Sequence, residues 1–160
     1  MKGSTHLAAG MTAALLLADK GVVPAAALVA GSILPDIDSP KSIVGRHVPV
    51  LPRILPHRTI THSLLFCAAA FAIHPYLALG ILIHIGLDML NPKGVHFFWP
   101  ASKQVQAPYI SKHLPQDGWF DHFLGGTFFL LASFLAVCLM LDMAPSSVFA
   151  GIASKIGGET

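Results

Sequence analysis

Five apolar stretches, separated by polar segments, constrain the fold of this chain more than any other feature. They are Leu7–Ala18, Val22–Leu34, Ile60–Ile73, Tyr76–Leu90 and Phe123–Met143. Only the last stretch is long enough, as a helix, to cross about 30 Å of hydrocarbon. At about 1.5 Å rise per residue, the other four reach only about 18–23 Å. The pattern predicts an all-α bundle of short helices followed by one transmembrane helix.

The scarcity of charge indicates that this bundle is embedded in a membrane. Hydrophobic residues make up 54% of the 160 residues, and Asp, Glu, Lys and Arg only 11%, against about 25% in a typical soluble domain. Ten basic and eight acidic residues give a formal net charge of +2, which does not favour nucleic-acid binding. We therefore expect a single membrane-embedded domain with membrane lipids as its surroundings.

Two turn-like junctions divide the four short stretches into two helical hairpins. Asp19-Lys20-Gly21 separates the first pair. His74-Pro75 separates the second pair, and Pro75 disfavours a helical His74 while removing a backbone donor. The expected organisation is a helical bundle over residues 1–91, a polar, aromatic-rich loop over 92–121, a transmembrane helix over 122–144 and a tail over 145–160.

The hairpin arrangement also predicts a topology. Each hairpin returns the chain to the side it left, so the segments Pro35–Thr59 and Asn91–Asp121 share one face with the N-terminus. Most basic residues fall on that face, namely Lys2, Lys41, Arg46, Arg53, Arg58, Lys93, Lys103 and Lys112, whereas Lys20 and Lys155 do not. By the positive-inside rule this face is cytoplasmic. The hairpins therefore predict a chain that enters the membrane more than once.

Seven ionisable residues converge on the same end of the predicted bundle. They are His6, Asp36, Asp38, His57, His62, His84 and Asp88. His84 and Asp88 are four residues apart, so they share one helical face. Imidazole and carboxylate are the usual ligands of catalytic zinc, and ionisable groups in membrane helices are costly and normally functional. The convergence predicts a site for one or two divalent metal ions, with zinc as the expected metal.

Each of these residues also has a structural interpretation. A histidine at a helix end is often a polar cap, and Asp36 and Asp38 can cap and solvate the end of a helix. The joint pattern favours metal binding over separate structural roles. The histidines without an acid at ligand spacing are His47, His74, His96 and His122. His113 and Asp117 repeat the four-residue spacing, but Pro115 argues against a helix there.

Four motifs in residues 1–100 resemble one known family. They are Thr5-His6, Leu34-Pro35-Asp36-Ile37-Asp38, His57-Arg58-Thr59-Ile60-Thr61-His62-Ser63 and His84-Ile85-Gly86-Leu87-Asp88. Together they resemble the YdjM-type family of bacterial inner-membrane metal-dependent hydrolases, which is distantly similar to zinc-dependent phospholipase C and P1-type nucleases. The resemblance implies hydrolysis of a phosphoester. No second His-x-x-x-Glu pair follows Asp88, which favours one or two ions over a cluster of three.

The predicted function is hydrolysis of a lipid or amphiphilic phosphoester by a metal-activated water. His62, His84 and Asp88 are expected to hold one ion. Asp36 or Asp38 would bridge to a second ion held by His6 and His57, and the less engaged aspartate would accept the proton of the water.

Arg58 is expected to stabilise the phosphoryl charge, because its planar guanidinium binds phosphate well. The alternative is a metal-binding membrane protein without enzymatic activity, either a carrier or a sensor.

Overall fold

The computed structural model of the chain describes residues 1–101, 103–105 and 118–145, and within them the fold is all-helical. The helices are α1 (Gly3–Leu16), α2 (Val22–Ile33), α3 (Leu51–Ile54), α4 (Leu64–Ile73), α5 (Pro75–Met89) and α6 (Trp119–Met140). Short 3₁₀ turns follow α2 and precede α4, at Leu34–Asp38 and Ile60–His62. The predicted fold class is confirmed. The candidates His113 and Asp117, and the tail beyond residue 145, lie outside the described residues.

Both hairpin turns form where the sequence predicts a break. The first is a 3₁₀ turn at Ala18–Lys20, and it ends at Gly21 with φ of 98°, a left-handed conformation that glycine adopts without a steric penalty. At the second, His74 is extended and its ring nitrogen accepts a hydrogen bond from the Tyr76 amide at 3.2 Å. Pro75 is the first residue of α5, where its missing N–H costs nothing.

The closest helix packing joins α2 to α5 through two glycines. A Cβ added at Gly31 would overlap the carbonyl oxygen of Leu77, and one added at Gly80 would overlap that of Leu28. The two backbones can therefore approach only because neither glycine has a side chain. This approach brings the end of α2 alongside the C-terminal half of α5.

The long helix α6 packs against α1, and the two helices run in the same direction. The Thr5 hydroxyl donates to Asp121 Oδ1 at 2.9 Å, and the Thr12 hydroxyl donates to the Phe128 carbonyl at 2.9 Å. The 22 residues of α6 span about 33 Å. Its length and apolar composition fit a membrane span, and most of its side chains face outward.

The bounds of this span differ from the expected 122–144. The helix starts at Trp119, directly after Gly118 with φ of 80°, and ends at Met140. The expected loop over 92–121 therefore ends earlier, because Asp121 is part of the first helical turn. A carboxylate is favourable there, since it faces the positive end of the helix dipole.

The N-terminus and both polar segments meet at one end of the bundle. The amide of Lys2 donates to Asp121 Oδ2 at 2.9 Å, which ties the N-terminus to the start of α6. The amide of Leu64 donates to the Phe97 carbonyl at 2.7 Å. These contacts produce the common face that the hairpin arrangement predicts.

Candidate metal centre

The seven predicted residues lie together at this end of the bundle. His6 comes from α1, Asp36 and Asp38 from the turn after α2, His57 and His62 from the segment before α4, and His84 and Asp88 from α5. Six of them are buried. The exception is His57, whose side chain is 43% exposed. The cluster is therefore enclosed by the helices and reaches the surface on the side of His57.

Nitrogen and oxygen atoms of five buried residues point toward one another. His62 Nε2 lies 3.2 Å from His84 Nε2 and 3.5 Å from Asp88 Oδ2. His84 Nε2 lies 3.7 Å from Asp36 Oδ1, and His6 Nε2 lies 3.3 Å from Asp88 Oδ1. The rings of His6 and His84 stack with their centroids 3.8 Å apart.

Three sets of these residues could hold an ion, because the ligand atoms in each set lie within 4.8 Å of one another. The sets are His6, Asp36 and His84; Asp36, His57 and His62; and His62, His84 and Asp88. The first two sets share only Asp36. They could therefore be filled together if this carboxylate bridged two ions.

The donor set fits a divalent ion, and His6 gives a direct indication. His6 is fully buried, and neither of its ring nitrogens makes an aligned hydrogen bond, although Nε2 lies 3.3 Å from Asp88 Oδ1. Leaving a buried polar group unpaired costs about 1–3 kcal/mol. An ion beside Nε2 would satisfy one of these nitrogens, and neutral imidazole with carboxylate is a donor set that suits zinc.

Asp38 is occupied by hydrogen bonds. Its Oδ1 accepts from His57 Nδ1 at 2.6 Å, and its Oδ2 accepts from the Arg58 amide at 3.0 Å and from the Thr61 hydroxyl at 2.5 Å. Burial opposes its ionisation, but the hydrogen bonds from His57, His62 and Thr61 outweigh burial and hold the pKa of Asp38 well below its usual range. Of the two aspartates, Asp36 is therefore the better placed to ligate an ion, and Asp38 orients its neighbours.

The two central histidines are held by their outer nitrogens. His84 Nδ1 donates to the Ser32 carbonyl at 2.7 Å, which turns Nε2 toward the cluster. His62 Nδ1 lies 3.0 Å from the Thr61 hydroxyl, which itself donates to Asp38. Burial disfavours charge on His62, but its hydrogen bonds with Asp38 and Asp88 prevail and raise the pKa of His62. Such outer partners fix the tautomer of a histidine ligand.

Arg58 is held at the edge of the cluster in an unusual backbone conformation. Its φ is 66°, which is uncommon for a residue with a side chain. The Arg58 carbonyl accepts hydrogen bonds from both the amide and the ring Nδ1 of His96, at 3.0 and 3.1 Å. Its guanidinium Nε lies 3.2 Å from Asp88 Oδ2, and Nε and Nη1 are buried without an aligned hydrogen-bond acceptor.

Three positioning residues were not found from the sequence. Thr61 lies within the His57–Ser63 motif, and its position next to His62 in the sequence is the feature that could have indicated its role. His96 has no acid at ligand spacing. Its role in holding the Arg58 backbone is seen only from the hydrogen bond between His96 Nδ1 and the Arg58 carbonyl. Ser32 contributes a backbone carbonyl, which no side-chain pattern records.

The other histidines of the described ranges have local roles outside the cluster. His74 caps α5. His47 Nδ1 pairs with the Ile43 carbonyl at 3.0 Å, and His122 pairs with Lys2. None of these three side chains is among the seven residues of the cluster.

The fold and the cluster together define a small membrane protein that buries histidines and aspartates at one end of a helical bundle. The sequence profile described as YdjM inner membrane protein matches residues 1–152, and the chain belongs to this family.

Three relatives show how far the similarity extends. The Bacillus subtilis (strain 168) protein YvsG, described as uncharacterized, is 31% identical over 130 residues, which cover 70% of this chain and 81% of YvsG. The inner membrane proteins YdjM of Escherichia coli (strain K12) and Shigella flexneri are each 36% identical over 117 residues. These alignments cover 61% of this chain and 57% of each relative. No solved structure matches the chain.

Proposed function

We propose that this YdjM-family protein is a membrane-bound metal-dependent hydrolase that cleaves a phosphoester of a lipid or amphiphilic substrate. The observation that carries the proposal is the buried cluster of His6, Asp36, His62, His84 and Asp88, in which neither ring nitrogen of His6 makes an aligned hydrogen bond. Burying five ionisable side chains in an apolar bundle is costly unless they are paired or ligate a metal. Membership of a family of inner membrane proteins supports an inner-membrane location.

The geometry supports two arrangements of ligands. A single ion would use His62, His84 and Asp88, as the sequence predicts. Two ions would use Asp36 as a bridge, with His6 and His84 on one side and His57 and His62 on the other. The metal content of the purified protein distinguishes these arrangements.

A bound divalent ion would supply a water of lowered pKa and polarise the phosphoryl oxygen. In the one-ion arrangement Asp36 is left to accept the proton of the attacking water. Burial raises the pKa of Asp36, which makes its carboxylate a better base near neutral pH. Arg58 would bind the phosphoryl oxygens through its guanidinium, whose Nε faces Asp88 Oδ2 at 3.2 Å and whose Nη1 has no hydrogen-bond acceptor among the described residues.

The position of the cluster supports a substrate at the membrane surface. The site lies where the polar segments meet, and its exposed edge is formed by His57, with the largely buried Arg58 side chain next to it in sequence. By the positive-inside rule this end faces the cytoplasm. The substrate would present its phosphoryl group here, while its apolar part stays in the bilayer beside the helices.

Metal analysis tests the first half of the proposal. Protein purified in detergent is expected to retain one or two equivalents of zinc or a similar divalent ion, and His62→Ala and Asp88→Asn are each expected to lower this content. His74→Ala is the matched control, because His74 lies at the other end of the bundle. Unchanged metal content in both cluster variants would remove these residues from the ligand set.

Turnover in Arg58→Lys tests the second half. On a substrate found in a phosphoester screen, this variant should keep its metal while kcat falls about tenfold or more, or about 1.4 kcal/mol. Arg53→Lys is the control, since the Arg53 side chain is exposed. Normal turnover in Arg58→Lys would contradict the assigned role. Bound metal without turnover on any phosphoester would favour the carrier or sensor.

A further inference from the structure

An apolar groove lies on the side of α1 that faces away from the metal centre. It has a volume of about 600 Å³ and is formed by α1, α2 and α6. Its floor consists of buried alanines, including Ala8 and Ala132, and its rim carries the exposed side chains of Met11 and Phe129. His6 is two residues from Ala8, which places it on the opposite face of α1. The proposed function makes no use of this groove.

The groove continues into a polar mouth at the end of the bundle. A second cavity of about 330 Å³ shares Ser4, Ala8 and Phe129 with the groove and adds Lys2, Asp121 and His122. The groove is therefore closed by small and apolar side chains along its length and by charged groups at one end. A membrane phospholipid has the same division into apolar chain and charged headgroup.

The cation at the mouth is held in place by His122. The ring Nδ1 of His122 donates to the Gly118 carbonyl at 2.7 Å, which leaves Nε2 as an acceptor. Lys2 Nζ lies 2.6 Å from this Nε2 and donates to it. Among the described residues no other acceptor contacts the Lys2 ammonium, so its two remaining hydrogens can bind a further acceptor.

The anion at the mouth is Asp121, and it too has unused capacity. Its Oδ2 accepts from the Lys2 amide and its Oδ1 accepts from the Thr5 hydroxyl, both at 2.9 Å. Each carboxylate oxygen can accept a second hydrogen bond. The mouth thus offers one donor group and one acceptor group of opposite charge.

The dimensions of the groove fit one hydrocarbon chain. From Ser4 to Leu15, both of which line it, α1 rises about 16 Å. The volume falls within the roughly 300–1,000 Å³ typical of small-ligand sites. Because α1 and α6 both begin at the polar end, a chain entering at the mouth would run parallel to them into the apolar layer.

We propose that this groove binds one membrane phospholipid whose headgroup carries both a phosphate and a primary ammonium. The phosphate contacts Lys2 Nζ, the ammonium donates to Asp121, and one acyl chain lies between Met11 and Phe129. A headgroup with net negative charge would be repelled by Asp121. A quaternary ammonium has no N–H to donate. The site is independent of the metal centre and goes beyond the proposed hydrolase.

Photoreactive lipids test this assignment in the full chain. The protein is reconstituted into phosphatidylcholine vesicles that contain a trace of phosphatidylethanolamine with a photoreactive acyl chain, and adducts are mapped by mass spectrometry. Phosphatidylglycerol and phosphatidylcholine probes are used in parallel. Adducts are expected on α1 and α6 at Met11 and Phe129, with several-fold more from the ethanolamine probe than from the other two.

Matched variants separate the groove from the general lipid-facing surface. Phe129→Ala removes a side chain from the rim, and Ala132→Leu fills the floor. Each variant should lower labelling of the groove. Phe71→Ala should not, although Phe71 is as exposed as Phe129, at 64%, and lines a separate apolar cavity between α4 and α5 that lacks a charged mouth. Metal content and melting temperature report whether each variant is folded, and Phe129→Ala changes only an exposed side chain.

Variants at the mouth test the headgroup contacts. Lys2→Gln should lower labelling about fivefold, whereas Lys20→Gln at the other end of the bundle should leave it unchanged. Asp121→Asn should abolish the preference for the ethanolamine probe over the glycerol probe.

Three results would overturn the proposal. The first is equal labelling of α4 and of the groove, or labelling that persists in folded Phe129→Ala and Ala132→Leu. The second is cross-linked dimers joined through Met11 or Phe129, which would mean that a second copy fills the groove. The third is equal labelling by all three probes, which would remove the headgroup contacts.

Discussion

Asp38 is expected to control metal affinity without touching the metal, and Asp38→Asn tests this. The carboxylate is buried and accepts hydrogen bonds from His57 Nδ1, the Arg58 amide and the Thr61 hydroxyl. Asparagine has nearly the same shape but only one acceptor oxygen. If that oxygen keeps the two donors at Oδ2, the amide NH₂ faces His57 Nδ1, and the hydrogen bond to His57 is lost.

The expected loss can be worked out from that single contact. A hydrogen bond to a charged group contributes about 1.5–3 kcal/mol. Replacing an outer partner of a metal ligand typically costs about 10–100-fold in metal affinity, which is about 1.4–2.7 kcal/mol. The two figures agree, so we expect the zinc dissociation constant of Asp38→Asn to rise by about 10–100-fold.

Zinc titration of the detergent-purified protein against a competing chelator measures this constant. Asp19→Asn is the control, because Asp19 is exposed and pairs only with its neighbour Lys20. His84→Ala removes a proposed ligand and should lose more affinity than Asp38→Asn. Wild-type affinity in Asp38→Asn would refute the positioning role. A loss as large as in His84→Ala would mean that Asp38 is itself a ligand.

Two further predictions concern the scaffold. Gly80→Ala should lower the free energy of unfolding by about 1–3 kcal/mol or more, because the added Cβ would meet the Leu28 carbonyl oxygen. Gly86→Ala is the control in the same helix. It should not lower the melting temperature, because there is open space around Gly86. Single cysteines at Lys41 and Lys103, in a cysteine-free background, should react with an impermeant thiol reagent from the same side of the membrane, and a cysteine at Lys20 from the opposite side. Opposite-sided reaction at Lys41 and Lys103 would contradict the hairpin arrangement.

The sequence predicts that the seven residues lie at one end of the bundle, because that placement depends only on how many times the chain reverses direction between helices. Two turns, at Gly21 and at His74-Pro75, are enough to return the chain twice to the same end. The His84–Asp88 spacing then sets one face of α5. None of these steps needs side-chain packing, so residues far apart in sequence could be placed at one end.

The roles of individual residues could not be predicted in the same way. Asp36 and Asp38 are equivalent by spacing, and only the three donors around Asp38 distinguish them. His96 meets Arg58 through contacts between the two polar segments, which no periodic pattern describes. The sequence predicts a start of α6 at residue 122, three residues after its start at Trp119, because Trp119 and Phe120 continue an aromatic-rich polar segment.

The depth at which the ionisable groups lie favours chemistry at one surface over transport. A carrier needs polar groups along its path, since isolated charges in the apolar layer are costly. Between the metal centre and the opposite end, the segments 7–18, 22–34, 64–73, 75–83 and 123–140 contain no Asp, Glu, Lys, Arg or His. Ten residues of such a helix separate the two ends by about 15 Å. An ion leaving His84 would thus meet no carboxylate or imidazole in these segments before Asp19 or His74, whereas the cluster itself reaches the surface beside His57.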